Sequence, residues 1–192
     1  MVENGELIVD SLIDNEILKQ IPILGTSLNL YRGVRSIRDT AYINKVKIFI
    51  ERLGDFTDEK RKRLIEQSKK DEKSRAKMGD ALFTTLEQSD SRVKIEYMAI
   101  AFEAYLNEDF EQSDFRFICH IIQNSFSDEL VDVVENETPK TEMKYLVPVG
   151  LAETIFQRPT FDMPSNEPNY KLSTAAEQLR AAWRTYGTSE NN

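Results

Sequence analysis

Residues 91–126 read SRVKIEYMAIAFEAYLNEDFEQSDFRFICHIIQNSF, and this stretch decides the fold. At about 100° per residue, the polar side chains of its first half fall on one narrow stripe. That stripe consists of Arg92, Glu96, Glu103 and Asn107, and Lys94 is the only charge elsewhere. A helix that is apolar on nearly all sides is typical of a buried position. The sequence therefore predicts a central, buried helix in a helical bundle.

The second half of the stretch predicts a second helix, residues 113–126, which packs antiparallel to the first after a short turn. Its apolar face is predicted to contain Phe115, Ile118, Cys119, Ile122 and Phe126, widened by Phe117 and Ile121. Its polar side contains Arg116, His120, Gln123 and Asn124.

The helices before this stretch show the same periodicity. SIRD at residues 36–39 resembles a capping box and opens a helix with Tyr42, Val46, Phe49 and Leu53 on one face. Residues 72–87 form another helical pattern with Leu82 and Leu86 on its apolar stripe. These segments predict further members of the bundle.

The composition of the 192-residue chain excludes several classes of protein. A single cysteine permits neither an intramolecular disulfide nor a zinc site built from several cysteines, which fits a reducing compartment. The first ten residues, MVENGELIVD, are acidic where a secretory signal peptide would be basic. We therefore expect a cytoplasmic protein.

The net charge of −8 is unevenly distributed. Residues 32–77 carry 15 basic and 8 acidic residues, so a polyanion would have to meet this segment. Lys69, Lys73 and Lys77 align if the helix there is unbroken, which makes them the candidate polyanion contacts. Acids alternate with these bases and no aromatic residues interleave to stack on nucleotides. A solvated face is therefore favoured, and we do not expect nucleic-acid binding.

An apolar segment at residues 17–34 is the second candidate contact region. It also contains Lys19, Gln20 and Asn29, so it is not a transmembrane segment. A helix-turn-helix that packs on the core is the favoured interpretation, while a position in a membrane interface is the alternative. The candidate membrane or partner contacts are Leu28, Leu30, Tyr31, Arg32 and Arg35.

Candidate chemical sites are weak. Cys119 and His120 are neighbours and point about 100° apart on a helix, which argues against a thiolate–imidazole pair. The acidic residues from Asn107 to Asp114 lack the glycine and the final glutamate of an EF-hand calcium loop. Glu96 and Glu103 are the best pair of carboxylates for acid–base catalysis, but ion-paired edge residues are the simpler interpretation. We predict no catalytic residue, no cofactor and no metal.

The pattern changes after residue 126. The run from Val149 to Phe156 is short for a helix and is compatible with a strand, YKLS at residues 170–173 predicts a second short strand, and residues 174–187 predict a helix. This order resembles the C-terminal part of a winged-helix module, on Leu146, Gly150, Leu151, Tyr170, Leu172 and Ser173. Residues 127–192 are net acidic, so we expect a wing that contacts protein rather than phosphates.

Two further resemblances cover longer parts of the chain. AFEAYLNEDFEQSDFRFI, residues 101–118, looks like the helical hairpin of tellurite-resistance-B-like domains, although it lacks their glycine-containing acidic turn, so metal binding is not implied. IPILGT at 21–26, SIRD at 36–39, KVKIFIERL at 45–53 and AFEAYL at 101–106 together resemble small helical bacterial proteins of mobile or phage-defence neighbourhoods. This second resemblance implies a role in anti-phage defence or phage–host conflict.

Together these patterns predict a mainly α protein, with a helical bundle domain at residues 1–126 and a winged-helix-like α+β appendage at residues 127–192. We expect a non-enzymatic protein-interaction module with a protein partner, or a homo-oligomer, since most soluble oligomers are symmetric homo-oligomers. The alternative is a peripheral membrane-acting effector that uses the 17–34 segment with the basic 32–77 segment.

Overall fold

The structure is a computed structural model that describes residues 37–53, 62–63, 72–137, 139–155 and 168–187. These ranges are mainly helical and include a small antiparallel hairpin near the C-terminal end. In chain order the elements are α1 (Ile37–Leu53), α2 (Glu72–Gln88), α3 (Arg92–Leu106), α4 (Gln112–Asn124), α5 (Ser127–Glu135), α6 (Met143–Leu146), β1 (Ala152–Ile155), β2 (Asn169–Leu172) and α7 (Thr174–Ala182), which continues into a π-helical turn (Trp183–Gly187).

The helix α3 is buried on nearly its whole circumference, as its sequence predicted. Helices α1, α4, α5 and α7 all pack against it. Its predicted polar stripe lies at the surface, with Arg92 exposed and Glu96 and Glu103 partly buried. Lys94 lies outside the stripe and is only 4% exposed, so its charge needs partners inside the protein.

The predicted apolar faces of α1 and α2 are also confirmed. Tyr42, Val46, Phe49 and Leu53 of α1 are buried, and Phe49 packs on Phe102 of α3 with ring centroids 5.7 Å apart. From α2, Leu82 and Leu86 are completely buried.

The C-terminal end of α4 differs from the prediction. The helix ends at Asn124, and the extended Ser125 (ψ 155°) turns the chain away, while its hydroxyl donates to the Ile121 carbonyl at 2.8 Å. Phe126, predicted to lie on the buried face, is therefore 71% exposed. Phe117 was expected to widen the same face and is 49% exposed.

The two predicted strands pair as an antiparallel hairpin, with Ala152 opposite Leu172 and Ile155 opposite Asn169. The hairpin is attached to the bundle through Gly150, which has a positive φ of 84°. The Gly150 carbonyl accepts a hydrogen bond from the Ser173 hydroxyl at 2.6 Å. A Cβ at this position would lie 3.2 Å from Cγ1 of Ile121, so glycine provides both the backbone conformation and the close approach to α4.

The helix α7 covers part of α3. Trp183 packs edge-on against Tyr97 of α3 with ring centroids 5.4 Å apart, and the Tyr97 hydroxyl donates to the Glu135 carboxylate at 2.7 Å. Burial and this hydrogen bond both raise the pKa of Tyr97. One hydrophobic cluster therefore contains residues from both sides of residue 126.

Basic side chains from other helices bind the carboxyl ends of three helices. The Lys45 ammonium donates to Glu87 O of α2 at 2.6 Å, and Lys94 donates to Gln123 O of α4 at 3.4 Å. The Arg180 guanidinium donates to Val133 O of α5 at 2.5 and 2.9 Å. None of these three helices has a basic residue in its own last turn. Each therefore receives from elsewhere the positive charge that stabilises unpaired carbonyls and the helix dipole.

We expect Arg180→Met to lower the free energy of unfolding by about 1–3 kcal/mol, because it keeps the aliphatic length and removes the donors to Val133 O. Urea denaturation followed by circular dichroism measures this change. Arg184→Met is the matched control, since Arg184 is exposed on the same segment and donates to no described residue. Equal stability of the two variants would contradict the role given to Arg180.

The carboxylate of Asp132 fixes the turn after α5. It accepts the backbone N–H groups of Lys140 at 3.0 Å and Thr141 at 2.8 Å, and the side-chain amide of Asn136 at 3.2 Å. Burial alone would raise the pKa of Asp132, but these hydrogen bonds outweigh it and the pKa is lowered. Asp132 therefore contributes stability that is present above its unfolded-state pKa of about 3.9 and is lost as the pH falls through the folded-state pKa.

We expect Asp132→Asn to destabilise the protein at pH 7 and to have a smaller effect at pH 3, because the stability that this carboxylate contributes is lost as the pH falls from the unfolded-state pKa toward the lower folded-state pKa. Urea denaturation at both pH values tests this. Asp128→Asn, on the exposed start of the same helix, is the control. A destabilisation by Asp132→Asn that is the same at both pH values would show that the charge is not what stabilises the turn.

Candidate functional site

A shallow, largely open cleft of about 300 Å³ lies between α2 and α4. Each helix contributes residues at helical spacing, which places them along the facing sides of the two helices. We refer to it as the α2–α4 cleft. Its polar and charged lining consists of Lys77, Asp80, Thr84 and Thr85 of α2 and Arg116, His120 and Gln123 of α4, together with Cys119.

Cys119 forms part of the floor of the cleft and is buried. Burial raises the pKa of its thiol to about 12, and a hydrogen bond with Thr85 lowers it only partly. The Thr85 hydroxyl itself donates to the Ala81 carbonyl at 2.8 Å. Because the thiolate is the nucleophilic form, this thiol is inert near neutral pH.

His120 lies at the surface, whereas the neighbouring Cys119 thiol is buried, as the sequence predicted. Its ring stacks on Phe117 with centroids 6.3 Å apart and an angle of 21° between the planes. The side-chain amide of Asn124 donates to His120 O at 2.7 Å and lies 3.1 Å from His120 Nδ1. The tautomer that accepts this second bond at Nδ1 carries its proton on Nε2.

The rim of the cleft carries charge. Lys77 and Arg116 are exposed and line the cleft from opposite helices, and Asp80 is the one carboxylate of the lining. Within the described ranges, none of these three side chains forms a hydrogen bond or an ion pair. The rim therefore offers groups that bind ions, while the floor offers a buried and unreactive surface.

The remaining acidic candidates have structural partners. The Glu96 carboxylate pairs with Arg92 at 2.6 Å. Asp109 accepts the Tyr186 hydroxyl at 2.5 Å, and Asp114 accepts the backbone N–H of Glu111 at 3.1 Å. Burial, first, and the bond to Asp109 raise the pKa of Tyr186 to about 12. Among the described residues, no group of three His, Cys, Asp or Glu side chains is placed to hold a metal ion.

The predicted contact residues are only partly within the described ranges. Lys69 lies outside them, as do all five predicted membrane or partner contacts: Leu28, Leu30, Tyr31, Arg32 and Arg35. Lys73 belongs to α2, but its side chain is outside the described part. Lys77 is exposed on the cleft rim. Its predicted alignment with Lys69 and Lys73 involves side chains outside the described part of the chain. Among the helices of the described ranges, none combines the length and the apolar character that a membrane-spanning helix needs.

Sequence reasoning missed the cleft itself. Arg116 was assigned to the polar side of α4, and Thr84 and Asp80 had no assigned role. The periodicity of α2 and of α4 indicates which side of each helix is polar, but it does not indicate that these two helices pack side by side. That adjacency is a tertiary contact with no local signal.

Comparison with known proteins adds no relative. The chain matches no protein-family model, no curated protein and no solved structure.

We expect Cys119, the only cysteine of the chain, to react with a thiol reagent about a thousandfold more slowly in the folded protein at pH 8 than an exposed thiol does. Release of chromophore from an aromatic disulfide reagent, with and without urea, measures the rate. Ser113→Cys is the control, because it adds an exposed thiol on the same helix that should react at once. Fast reaction of native Cys119 would contradict its burial.

Proposed function

We propose that this chain is a non-enzymatic protein-interaction module that binds a protein partner through the outer side of α4. The exposed Phe117 carries this proposal. The apolar residues Phe115, Ile118, Cys119, Ile121 and Ile122 of the same helix are buried, whereas the Phe117 ring is 49% exposed. We call Phe117, with the stacked His120 and the neighbouring Arg116, the aromatic surface.

The residue types of the aromatic surface are those that interfaces favour. Aromatic side chains and arginine are enriched where proteins bind each other and provide a large share of the binding energy. The Phe117 side chain has few rotatable bonds and is already stacked on His120, so ordering it on binding costs little entropy. Covering its exposed half contributes about 1 kcal/mol from apolar burial alone.

The charge near Phe117 indicates the chemistry of the partner. Arg116 is exposed and has no ion-pair partner among the described residues. A partner that presents acidic side chains around an apolar contact would match both features. We therefore propose that chemistry for the partner, and a second copy of this chain is one outcome of the test.

The hairpin extends the same surface. The Phe117 ring lies beside Gly150, where a Cβ would be 3.7 Å from Phe117 Cζ, and Gly150 leads into β1. Tyr145 before this turn is 60% exposed, and Ile155 lies at the far end of β1. We propose that β1 and β2 act as a winged-helix-like wing that contacts the partner. The negative charge of residues 127–192 supports a protein contact over a phosphate contact.

The candidate chemical groups support a non-enzymatic role. Burial raises the pKa of the Cys119 thiol, and the Glu96 carboxylate forms an ion pair with Arg92. We further propose that the module acts in bacterial anti-phage defence or phage–host conflict. That context rests on the resemblance of the segments IPILGT, SIRD, KVKIFIERL and AFEAYL to proteins of such neighbourhoods.

We expect Phe117→Ala to abolish a stoichiometric complex that wild-type protein forms with a partner from its native host. The tagged chain is used as bait, the partner is identified by mass spectrometry, and the reconstituted complex is measured by size-exclusion chromatography with light scattering. Phe126→Ala is the matched control, because Phe126 is also exposed but follows the end of α4.

A complex that survives Phe117→Ala and is lost in Phe126→Ala would place the contact elsewhere and overturn the aromatic surface. A defined homo-oligomer that Phe117→Ala dissociates would identify the partner as a second copy. A wild-type chain that stays monomeric and yields no stoichiometric complex would overturn the interaction module itself.

A further inference from the structure

We propose that the α2–α4 cleft binds a small ligand that carries one oxyanion group, a phosphate monoester or a carboxylate. The cleft has donors on both sides: Lys77 and Thr84 from α2, and Arg116 and His120 from α4. This inference goes beyond the proposed protein contact and does not rest on it: the two sites share Arg116 and His120, but the anion site does not use the Phe117 ring.

The two cations of the rim differ from most described cations, which are already occupied. Lys45, Lys94, Arg52 and Arg180 donate to backbone carbonyls, and Arg92, Lys144 and Lys171 pair with carboxylates. Lys77 and Arg116 have no such partner within the described ranges, although both line the same cleft. A guanidinium binds a carboxylate or a phosphate through two parallel hydrogen bonds, and an ammonium adds a mobile point charge.

Two further donors complete the site. In the tautomer that accepts from Asn124 at Nδ1, His120 presents an Nε2–H donor that has no protein partner among the described residues. The Thr84 hydroxyl likewise makes no hydrogen bond to any described residue, whereas Thr85 is bonded to the Ala81 carbonyl. An oxyanion only accepts hydrogen bonds, so each of these groups can donate one to it.

Asp80 limits the charge of the ligand. Asp80 is the single carboxylate of the lining, which also contains the two cations Lys77 and Arg116, so the rim keeps one net positive charge. That balance suits one phosphate or carboxylate group and opposes a polyanion, whose second charged group would meet Asp80. The volume of about 300 Å³ is at the small end for ligand sites, and the floor at Cys119 and Ala81 suits a short apolar body.

The experiment uses His120, which is the only histidine of the chain and gives its own imidazole proton resonances. The wild-type protein in a non-coordinating amine buffer at constant pH is titrated with inorganic phosphate and, separately, with acetate. Sodium chloride at matched ionic strength is the reference. We expect the His120 resonances to shift along a saturable curve with phosphate or acetate, and not with chloride. Saturation by phosphate alone identifies a phosphate-bearing ligand, and saturation by acetate identifies a carboxylate.

Charge variants then test the assignment of residues. Lys77→Gln and Arg116→Gln should each weaken the binding of the saturating anion by about three- to tenfold, as expected for one partly exposed charge near the ligand. Asp80→Asn should strengthen it by a similar factor. Lys47→Gln is the matched control, since Lys47 is exposed on α1 and paired with Glu51, and it should leave binding unchanged.

Phe117→Ala separates this inference from the protein contact, because it should remove partner binding and leave the anion curve saturable. A chloride titration that matches phosphate and acetate would overturn the anion site. The same result would follow if Arg116→Gln and Asp80→Asn both bound the anion as wild type does. Neither outcome would affect a partner complex that depends on Phe117.

Discussion

A helix that is apolar on nearly every side has to be covered on every side, and α3 imposes this condition on the rest of the chain. Local hairpin packing by α4 covers only part of α3. The remaining faces are covered by α1, which precedes it, and by α5 and α7, which follow it. The Tyr97 side chain shows the result, because its ring meets Trp183 while its hydroxyl reaches Glu135. Segments distant in sequence are therefore required to complete a single core.

Covering α3 in this way partly buries the ends of several helices, where carbonyls lose some of their contact with water. The structure meets that cost with long basic side chains donated between helices: Lys45 to α2, Lys94 to α4 and Arg180 to α5. Arg52 of α1 likewise donates to the π-helical turn that follows α7, at Tyr186 O and Gly187 O, with distances of 2.9 and 3.0 Å. Each bond satisfies a partly buried acceptor and also joins two elements of the bundle. These polar contacts thus stabilise the packing of helices that the burial of α3 requires.

Much of the fold could be predicted because its signals are local. The periodicity of residues 92–107 indicated a buried helix, and the apolar runs around Gly150 and Tyr170 indicated two strands. Phe126 was placed wrongly because periodicity continues past the point where Ser125 leaves the helix. Phe117 was placed wrongly because periodicity does not show how far neighbouring segments cover that edge of α4, where the side chain is 49% exposed. Arg116 and Lys77 could not be associated, since their proximity depends on how α2 packs against α4.

The charge of the whole chain also affects the α2–α4 cleft. A net charge of −8 repels anions at long range, while Lys77 and Arg116 attract them at contact. At physiological ionic strength the Debye length is about 8 Å, so salt screens the distant carboxylates more than a cation in contact with the ligand. Salt therefore weakens the long-range repulsion of anions more than it weakens their attraction to the cleft. In a basic protein, by contrast, the long-range and the contact interactions both attract anions. A small anion in contact with Lys77 and Arg116 is therefore favoured at physiological salt.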